Sequence, residues 1–420
     1  MVIKELTDII KMHDQWRSNC INLTPSENAL SPMVKEALQT DMGQRYYFEN
    51  SYKAKNSISY SYHGTAYIAD LIREGKELAK EVFEVEFASL YPISGHMAVI
   101  GAVAAVYRDG NTILSYDPGY GGYPGLDKNK MPKYLGFNVE YMPVISSFPE
   151  MIDLIALKQL VNRVQPVAIV LSSAHTIFPY PLEEIKSICG SECVLIYDAS
   201  HPLGLIAGKQ FQNPIREGAD IIVGGTQKSF PGPQGGIILT NEYIDQIKKV
   251  EHFVLVDNPH FHRIAALTIA LSEMKDYGEH YALQVVKNTK KLAAGLFEVG
   301  LPVKYRELGF SESHMFKMDI FDGYDELSCR LEQANIIIDK AGRIGTNEMT
   351  RMGMKESDML QIAKFIGRVF LSNEDPSVLK RDIIEFRKSF QQAEFCFEEF
   401  PEEVNELALS PQLVPSVTVV

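Results

Sequence analysis

An aspartate, a histidine and a lysine between positions 198 and 228 have the types and settings needed for catalysis through an amine. The apolar run ending in Ile196-Tyr197 reads as a buried strand, and it delivers Asp198 and His201 at its C-terminal end. A second apolar run, Ile221-Ile222-Val223, delivers Gly224, Gly225, Thr226 and Gln227, then Lys228. A carboxylate, an imidazole and an amine therefore fall at strand ends, where open α/β sheets hold their ligands. Burial lowers a lysine's pKa and frees the neutral amine that forms a Schiff base. Pyridoxal 5'-phosphate needs such a lysine, together with a carboxylate that keeps its ring nitrogen protonated. Lys228 and Asp198 suit those two roles; the plain alternative is a surface lysine and a helix-capping aspartate.

The stretch YDASHPLGL, followed by GGTQKSFPGPQGG, resembles serine hydroxymethyltransferase. That family of fold-type I pyridoxal-phosphate enzymes reads D-x-A-H, then T-H-K, then G-P-R-G-G. LTPSEN at 23–28 is similar to the family's ASEN segment, and the likeness runs with gaps from about Asn22 to Arg351. The resemblance implies an α/β fold: a large domain on a mostly parallel seven-stranded sheet, and a smaller α/β C-terminal domain. The divisions expected are a helical arm at 1–25, a cofactor-binding domain at 26–275 and a small domain at 276–420. It also implies a homodimer, or a dimer of dimers, with shared active sites.

Other elements must bring the remaining groups to Lys228. Residues 1–19 form an amphipathic helix with Ile3, Leu6, Ile9, Ile10 and Trp16 at helical spacing, suited to packing on a neighbour or partner subunit. Ser31-Pro32 reads as a helix N-cap with proline at the first helical position. Just before it, Ser26 matches a residue near the substrate carboxylate. Between 46 and 67 the chain is dense in tyrosine, a residue that offers contact area and a hydroxyl together. By resemblance, Glu49 matches the glutamate that exchanges a proton with the substrate hydroxyl, and Tyr62 a site tyrosine donated across a dimer interface. After a helix at 66–82, Ser94-Gly95-His96 opens an Ala/Val-rich helix, whose free N–H groups and dipole suit a phosphate.

TILSYDPGYGGYPG reads as a strand and a Gly-rich loop, and its Tyr123 falls where the family stacks a histidine on the cofactor ring. VAIVLSSAHTIFPYPL is a buried strand ending in Ser173 and His175, near the cofactor's 3-oxygen by resemblance. His175 reads equally as a loop histidine. His201 and Thr226 belong with the cofactor site by the same matching. The family's Gly-rich F-P-G-G motif, which reaches the partner subunit's phosphate, has no counterpart here. LVDNPHFHR stands in its place, so either His260, His262 or Arg263 takes over that contact or the contact is absent.

A long helix from Ile264 to about Leu296 leads to strands expected at VKYREL, HMFKMDIF and ANIIID. Arg343, in KAGRIGTNEMTRMGM, matches the family's R-x-G-T…T-R-x-G, and a guanidinium is the natural ligand of an α-carboxylate. Arg351 is the next candidate for that role. The family places a long Pro-rich loop that helps hold folate before this arginine, whereas IIIDKAGRIGT runs almost directly into it. The expected chemistry is therefore at the Cα–Cβ bond of a β-hydroxy amino acid, with an aldehyde as product or acceptor and without folate. Folate-dependent hydroxymethyl transfer is the runner-up, and an aminotransferase or a non-catalytic relative are the remote alternatives.

The 420 residues exceed one ordinary core, and 45% hydrophobic with 23% charged residues is a soluble globular composition. A net charge of −13 disfavours nucleic acid or an anionic membrane as partner. Five cysteines without metal-site spacing read as reduced thiols of a cytoplasmic protein, and no metal is expected.

Overall fold

The computed structural model describes residues 3–47, 62–108, 111–252, 254–372 and 374–398. Seven strands form the central sheet: β1 (Phe87–Ser89), β2 (Thr112–Ser115), β3 (Asn138–Tyr141), β4 (Ala168–Leu171), β5 (Val194–Asp198), β6 (Ile221–Gly225) and β7 (Gly236–Thr240). Their order is β1-β7-β6-β5-β4-β2-β3, with β7 alone running against its neighbours. The sheet is thus the mostly parallel seven-stranded one expected, and every other strand points its C-terminal end to the same edge.

Both faces of the sheet are covered, which explains why β4 to β7 are apolar without alternation. Ile169, Leu171, Leu195, Tyr197, Ile222 and Leu239 face one core, packed by α2 (Ala66–Phe83) and the first half of the long helix α4 (Phe261–Glu298). Val170, Ile196, Val223 and Ile238 face the other core, under α3 (Gly95–Ala105). α3 is built of alanine, valine and glycine because it lies flat on the sheet; an added Cβ at Gly101 would reach within 3.0 Å of Ile238.

The far half of α4 serves a third core, where Leu292 and Leu296 meet Phe316, Ile344 and α5 (Glu356–Leu371). Here β8 (Met315–Lys317) pairs antiparallel with β9 (Arg343–Gly345), so that Lys317 stands opposite Arg343. Ile21 and Leu23 also belong to this core, and Ile21-Asn22 pairs in parallel with Ile336-Ile337. The expected strand at VKYREL does not form. Arg306–Leu308 is a 3₁₀ turn entered through Tyr305 in the left-handed region at φ 62°, and of the segment only Val303 bridges to Met318. Ser31 caps its helix as expected, accepting from Val34 N at 3.2 Å with Pro32 next in line.

Arg351 is not a substrate ligand. It is fully buried, its Nη2 is 2.6 Å from the buried carboxylate of Glu273 on α4, and its Nη1 donates to the Phe395 carbonyl. The pair clamps the turn after β9 to α4. Breaking a buried pair leaves one charge uncompensated, which costs about 3–5 kcal/mol. Arg351→Ala should therefore lower unfolding stability by roughly that amount in urea melts; a change below about 1 kcal/mol would refute the clamp.

Candidate active site

The C-terminal ends of β4, β5 and β6 present Ser172, Asp198 and Lys228 side by side. Asp198, at the end of β5, is 9% exposed. Its Oδ2 accepts from Ser172 Oγ at 2.5 Å, and its Oδ1 from the Ser200 amide at 2.9 Å. Two donors fix the orientation of the carboxylate at the end of the strand. Lys228 follows β6 across Thr226 and Gln227. Burial pushes its amine below the ordinary lysine range, opposed by the charge of Asp198 and aided by that of Arg343. Among the described residues the amine makes no hydrogen bond, and its side chain stays partly accessible. The shift favours the nucleophilic form of the amine, and the Asp198 carboxylate is near enough to oppose it.

Lys228 is held through its backbone. Its carbonyl accepts from Asn28 Nδ2 at 2.7 Å and from Asn347 Nδ2 at 3.3 Å. Asn347 also donates to the Glu27 carbonyl, and Tyr281, buried on α4, donates to the next carbonyl, Ser229 O, at 2.9 Å. The segment 21–28 thus ties the lysine to β9 and its following turn, and it carries Ser26 into the same region. Glu27 is engaged elsewhere, paired with Arg17 at 2.5 Å.

Two histidines lie beneath this strap. His201 is 5% exposed, its Nδ1 has no partner among the described residues, and its ring stacks on His314 at 5.6 Å. His314 Nε2 donates to the Pro25 carbonyl at 3.2 Å, so its Nδ1 accepts from Ser313 Oγ at 3.1 Å. Burial holds both rings neutral, pushing His314 down to about 3 and His201 well below the usual range.

Opposite them, Ser94 caps α3, accepting from Met97 N at 3.1 Å, and leaves the first amides of the helix facing the sheet edge. A Cβ on Gly95 would stand 3.0 Å from Gly225 Cα, so only glycine lets the helix end come this close to the strand that leads to Lys228. His96 Nδ1 meets the Tyr123 hydroxyl at 3.0 Å, and the Tyr123 pKa is raised by burial and by Asp198. Thr226 is buried, its hydroxyl donating to the Pro233 carbonyl at 2.6 Å. Ser173 Oγ accepts from the His175 amide at 3.0 Å.

On the far wall, Arg343 Nε is 2.6 Å from Asp339 Oδ2 and its Nη1 donates to the Ala174 carbonyl at 3.1 Å, which leaves Nη2 for a carboxylate. Lys317, its cross-strand partner, donates to Glu150 at 2.8 Å and lies 3.2 Å from His175 Nδ1. His175 is pushed down to about 4 by burial, Lys317 and Arg343, and is neutral near pH 7. The structure therefore gathers Ser94, Gly95, His96, Tyr123, Ser173, Asp198, His201, Thr226, Lys228 and Arg343 at one edge. Tyr62 stands just before α2, its ring stacked on Tyr46 at 5.5 Å, and Glu49 lies outside the described residues. Sequence reading passed over Ser172, Asn28, Asn347 and His314. The first is next to a chosen residue; Asn28 and Asn347 lie inside the LTPSEN and R-x-G-T…T-R-x-G stretches, but like His314 they act on backbone or buried groups, which the motifs do not reveal.

The residues fit pyridoxal 5'-phosphate. A partly accessible amine with a lowered pKa, a doubly supported carboxylate and a helix end drawn in by glycine are the three anchors that this cofactor requires.

Comparison with known proteins agrees. The family model described as serine hydroxymethyltransferase matches residues 1–366. Serine hydroxymethyltransferase of Methanopyrus kandleri is 38% identical over 407 residues, covering 92% of this chain and 94% of its own. That of Pyrobaculum calidifontis is 36% identical over 436 residues, covering 98% and 99%. The crystal structure of L-threonine transaldolase from Pseudomonas fluorescens, in its internal aldimine state, superposes with a TM-score of 0.88 at 26% identity. It covers 96% of this chain and 95% of its own.

Lys228→Ala should abolish borohydride-fixed cofactor and turnover, and peptide mapping of the reduced wild type should place the label on Lys228. A label on any other lysine would reassign the nucleophile. Ser172→Ala should weaken cofactor binding by about tenfold or more, since a hydrogen bond to a buried charge contributes about 1.5–3 kcal/mol; unchanged affinity would show that Ser200 N alone suffices.

Proposed function

We infer the reaction from a premise now in place: the chain belongs to the serine hydroxymethyltransferase family and is a pyridoxal-phosphate enzyme. Within that family we assign it the making or breaking of the Cα–Cβ bond of a β-hydroxy amino acid, as an aldolase or transaldolase that needs no folate. When bound, the cofactor supplies the electron sink. The chain supplies the rest. Asp198, braced by Ser172 and Ser200, keeps the proton on the ring nitrogen. Arg343, oriented by Asp339 and Ala174, takes the α-carboxylate through Nη2, with Ser26 beside it. Buried neutral His201 and His314 floor the site without adding charge.

Glu49 accepts the hydroxyl proton as the Cα–Cβ bond breaks, Cα is reprotonated, and an aldehyde leaves with glycine retained. Tyr62 is assigned to the partner subunit's site in a homodimer or dimer of dimers. That assembly would also use the apolar face of α1 (Ile3–Ser18), where Ile3, Ile9, Ile10 and Met12 are exposed. We further assign the protein to the cytoplasm and its division to an arm, a large domain and a small domain; no helix among the described residues is long and apolar enough to cross a membrane.

The observation that carries folate independence is the link before Arg343. Residues 338–342 make a single turn in which Asp339 Oδ1 accepts from Ala341 N at 2.9 Å and Arg343 N at 3.1 Å. A turn consumed in holding the arginine has no length left to wall a pterin, whose ring nitrogens need paired partners. The names of the curated relatives favour the second reading, hydroxymethyl transfer to folate held by other residues.

Purified enzyme should release aldehyde from L-threonine or a related β-hydroxy amino acid without tetrahydrofolate; release, or serine turnover, that appears only on adding it selects the second reading. Arg343→Ala should raise the amino acid KM by about 30-fold or more with cofactor content intact, as removing one partner of a charged pair costs about 2–5 kcal/mol. An unmoved KM would take the carboxylate away from Arg343.

A further inference from the structure

Arg263, in the first turn of α4, is a buried cation with no acid to answer it among the described residues. It is 4% exposed, and among the described residues no carboxylate pairs with it. Its Nη2 donates to the Leu90 carbonyl at 2.6 Å and the Tyr91 carbonyl at 3.3 Å, while Nε and Nη1 have no partner. Burial alone pushes the guanidinium down to about 10. Arg351, buried as deeply, has Glu273. An unpaired buried charge is costly, and a site that retains one is incomplete without an anion.

The chain passes around Arg263 say which anion. Leu90 and Tyr91 lead directly into Pro92 and the Ser94–Gly95 turn, where α3 begins. A Cβ on Gly235 would lie 2.6 Å from Arg263 Nη1 and 3.1 Å from Thr226 Oγ1, so guanidinium and hydroxyl share one small space. Gly236 N donates to the Pro92 carbonyl at 2.8 Å, and Thr226 N to the Gly235 carbonyl at 3.1 Å. The cation therefore lies immediately behind the helix end and the threonine two residues before Lys228. His262 turns elsewhere, its Nδ1 against Gly43, and Asn258 is spent on Arg45 O and the Tyr47 amide. In the G-P-Q-G-G run, the exposed Gln234 stands where the family motif has arginine.

We propose that Arg263 is the counter-charge of the cofactor's phosphate, a positioning residue that acts through the Ser94 turn and Thr226 from behind the cradle. The proposal rests on the assignment of the site to pyridoxal 5'-phosphate. It follows that the phosphate's positive support is built into the same chain, on α4, rather than lent by a glycine-rich segment of a partner. In a water-poor setting a dianion and a cation attract strongly even without direct contact, and the dipole of α3 adds to the same field.

Cofactor-depleted protein tests this with two probes, pyridoxal 5'-phosphate and pyridoxal, titrated by absorbance, and with inorganic phosphate followed by thermal melting. Arg263→Gln keeps an amide donor for the Leu90 carbonyl but removes the charge; Arg263→Lys keeps the charge. Gln should weaken pyridoxal 5'-phosphate binding by about tenfold or more while changing pyridoxal binding less than about twofold, and should abolish the rise in Tm given by inorganic phosphate. Lys should restore most of the difference. Equal losses for both probes, or a variant that melts early without cofactor and binds normally, would mean that Arg263 only anchors α4, and the proposal fails. Wild-type protein that takes up neither probe would overturn the cofactor assignment instead.

Discussion

The contact on which the site depends is the approach of Gly95 to Gly225. One is the first residue of α3 and the other the last of β6, and a single methyl group between them would sit 3.0 Å from a backbone carbon. Because neither residue has a side chain, a helix N-terminus and the root of the Lys228 loop share one edge. The helix supplies amides and a dipole for an anion, and the strand supplies the amine. Ser200 seals the seam, its hydroxyl accepting from Gly225 N at 2.9 Å while its amide supports Asp198. Any spreading here would separate the phosphate end of the site from its amine end and tilt the carboxylate that serves the ring. Apolar packing on both faces of the sheet holds the seam closed, so the two cores maintain a distance that neither could set by itself.

The sheet was legible because its strands are buried on both faces and read as uninterrupted apolar runs ending in Asp198 and Gly225. Ser94, Asp198, Lys228 and Arg343 were legible because each stands at an element end in a residue order that resembles a known family. What stayed hidden acts on backbone or buried groups. Asn28 and Asn347 hold the Lys228 carbonyl from distant parts of the chain, and the motifs that contain them do not show that both side chains meet there. Arg351 stood as the next candidate after Arg343 because one motif holds both, yet a buried carboxylate on α4 claims it. VKYREL alternates like a strand, but Tyr305 in the left-handed region breaks the register, and its hydroxyl is bonded to Glu150. In each case a tertiary partner outweighed a local signal.

The charges on the substrate wall form a graded set. Lys317 and Arg343 stand opposite each other on paired strands, and two adjacent cations would repel unless each had its own acid. Each has one: Glu150 for Lys317, Asp339 for Arg343. Glu150 is buried, and Lys317 with the Tyr305 hydroxyl keeps its carboxyl below the usual range. Lys317 is thereby neutralised locally, whereas Arg343 has five donors to distribute and retains Nη2 after serving Asp339 and Ala174. A planar fork can be oriented by one acid and still bind a second, which an ammonium does less well. This asymmetry makes Arg343 rather than Lys317 the carboxylate ligand, although both lie on the same pair of strands.

The same reasoning explains why the strap at 21–28 matters to chemistry as well as to packing. It pairs with Ile336-Ile337, takes the His314 Nε2 proton at the Pro25 carbonyl, and ends with Asn28 on the Lys228 carbonyl. Arg343 lies on β9, whose Gly345 amide donates to Leu23 O at 2.8 Å, so the carboxylate ligand and the amine are tied to one continuous stretch of backbone. A shift of the third core relative to the sheet must therefore carry the strap with it, moving Arg343 and Lys228 in concert. Cleaving one chosen bond of an amino acid requires that its carboxylate and its nitrogen be held in a fixed relation, since together they set which Cα bond stands perpendicular to the ring. The strap is the element that couples the two.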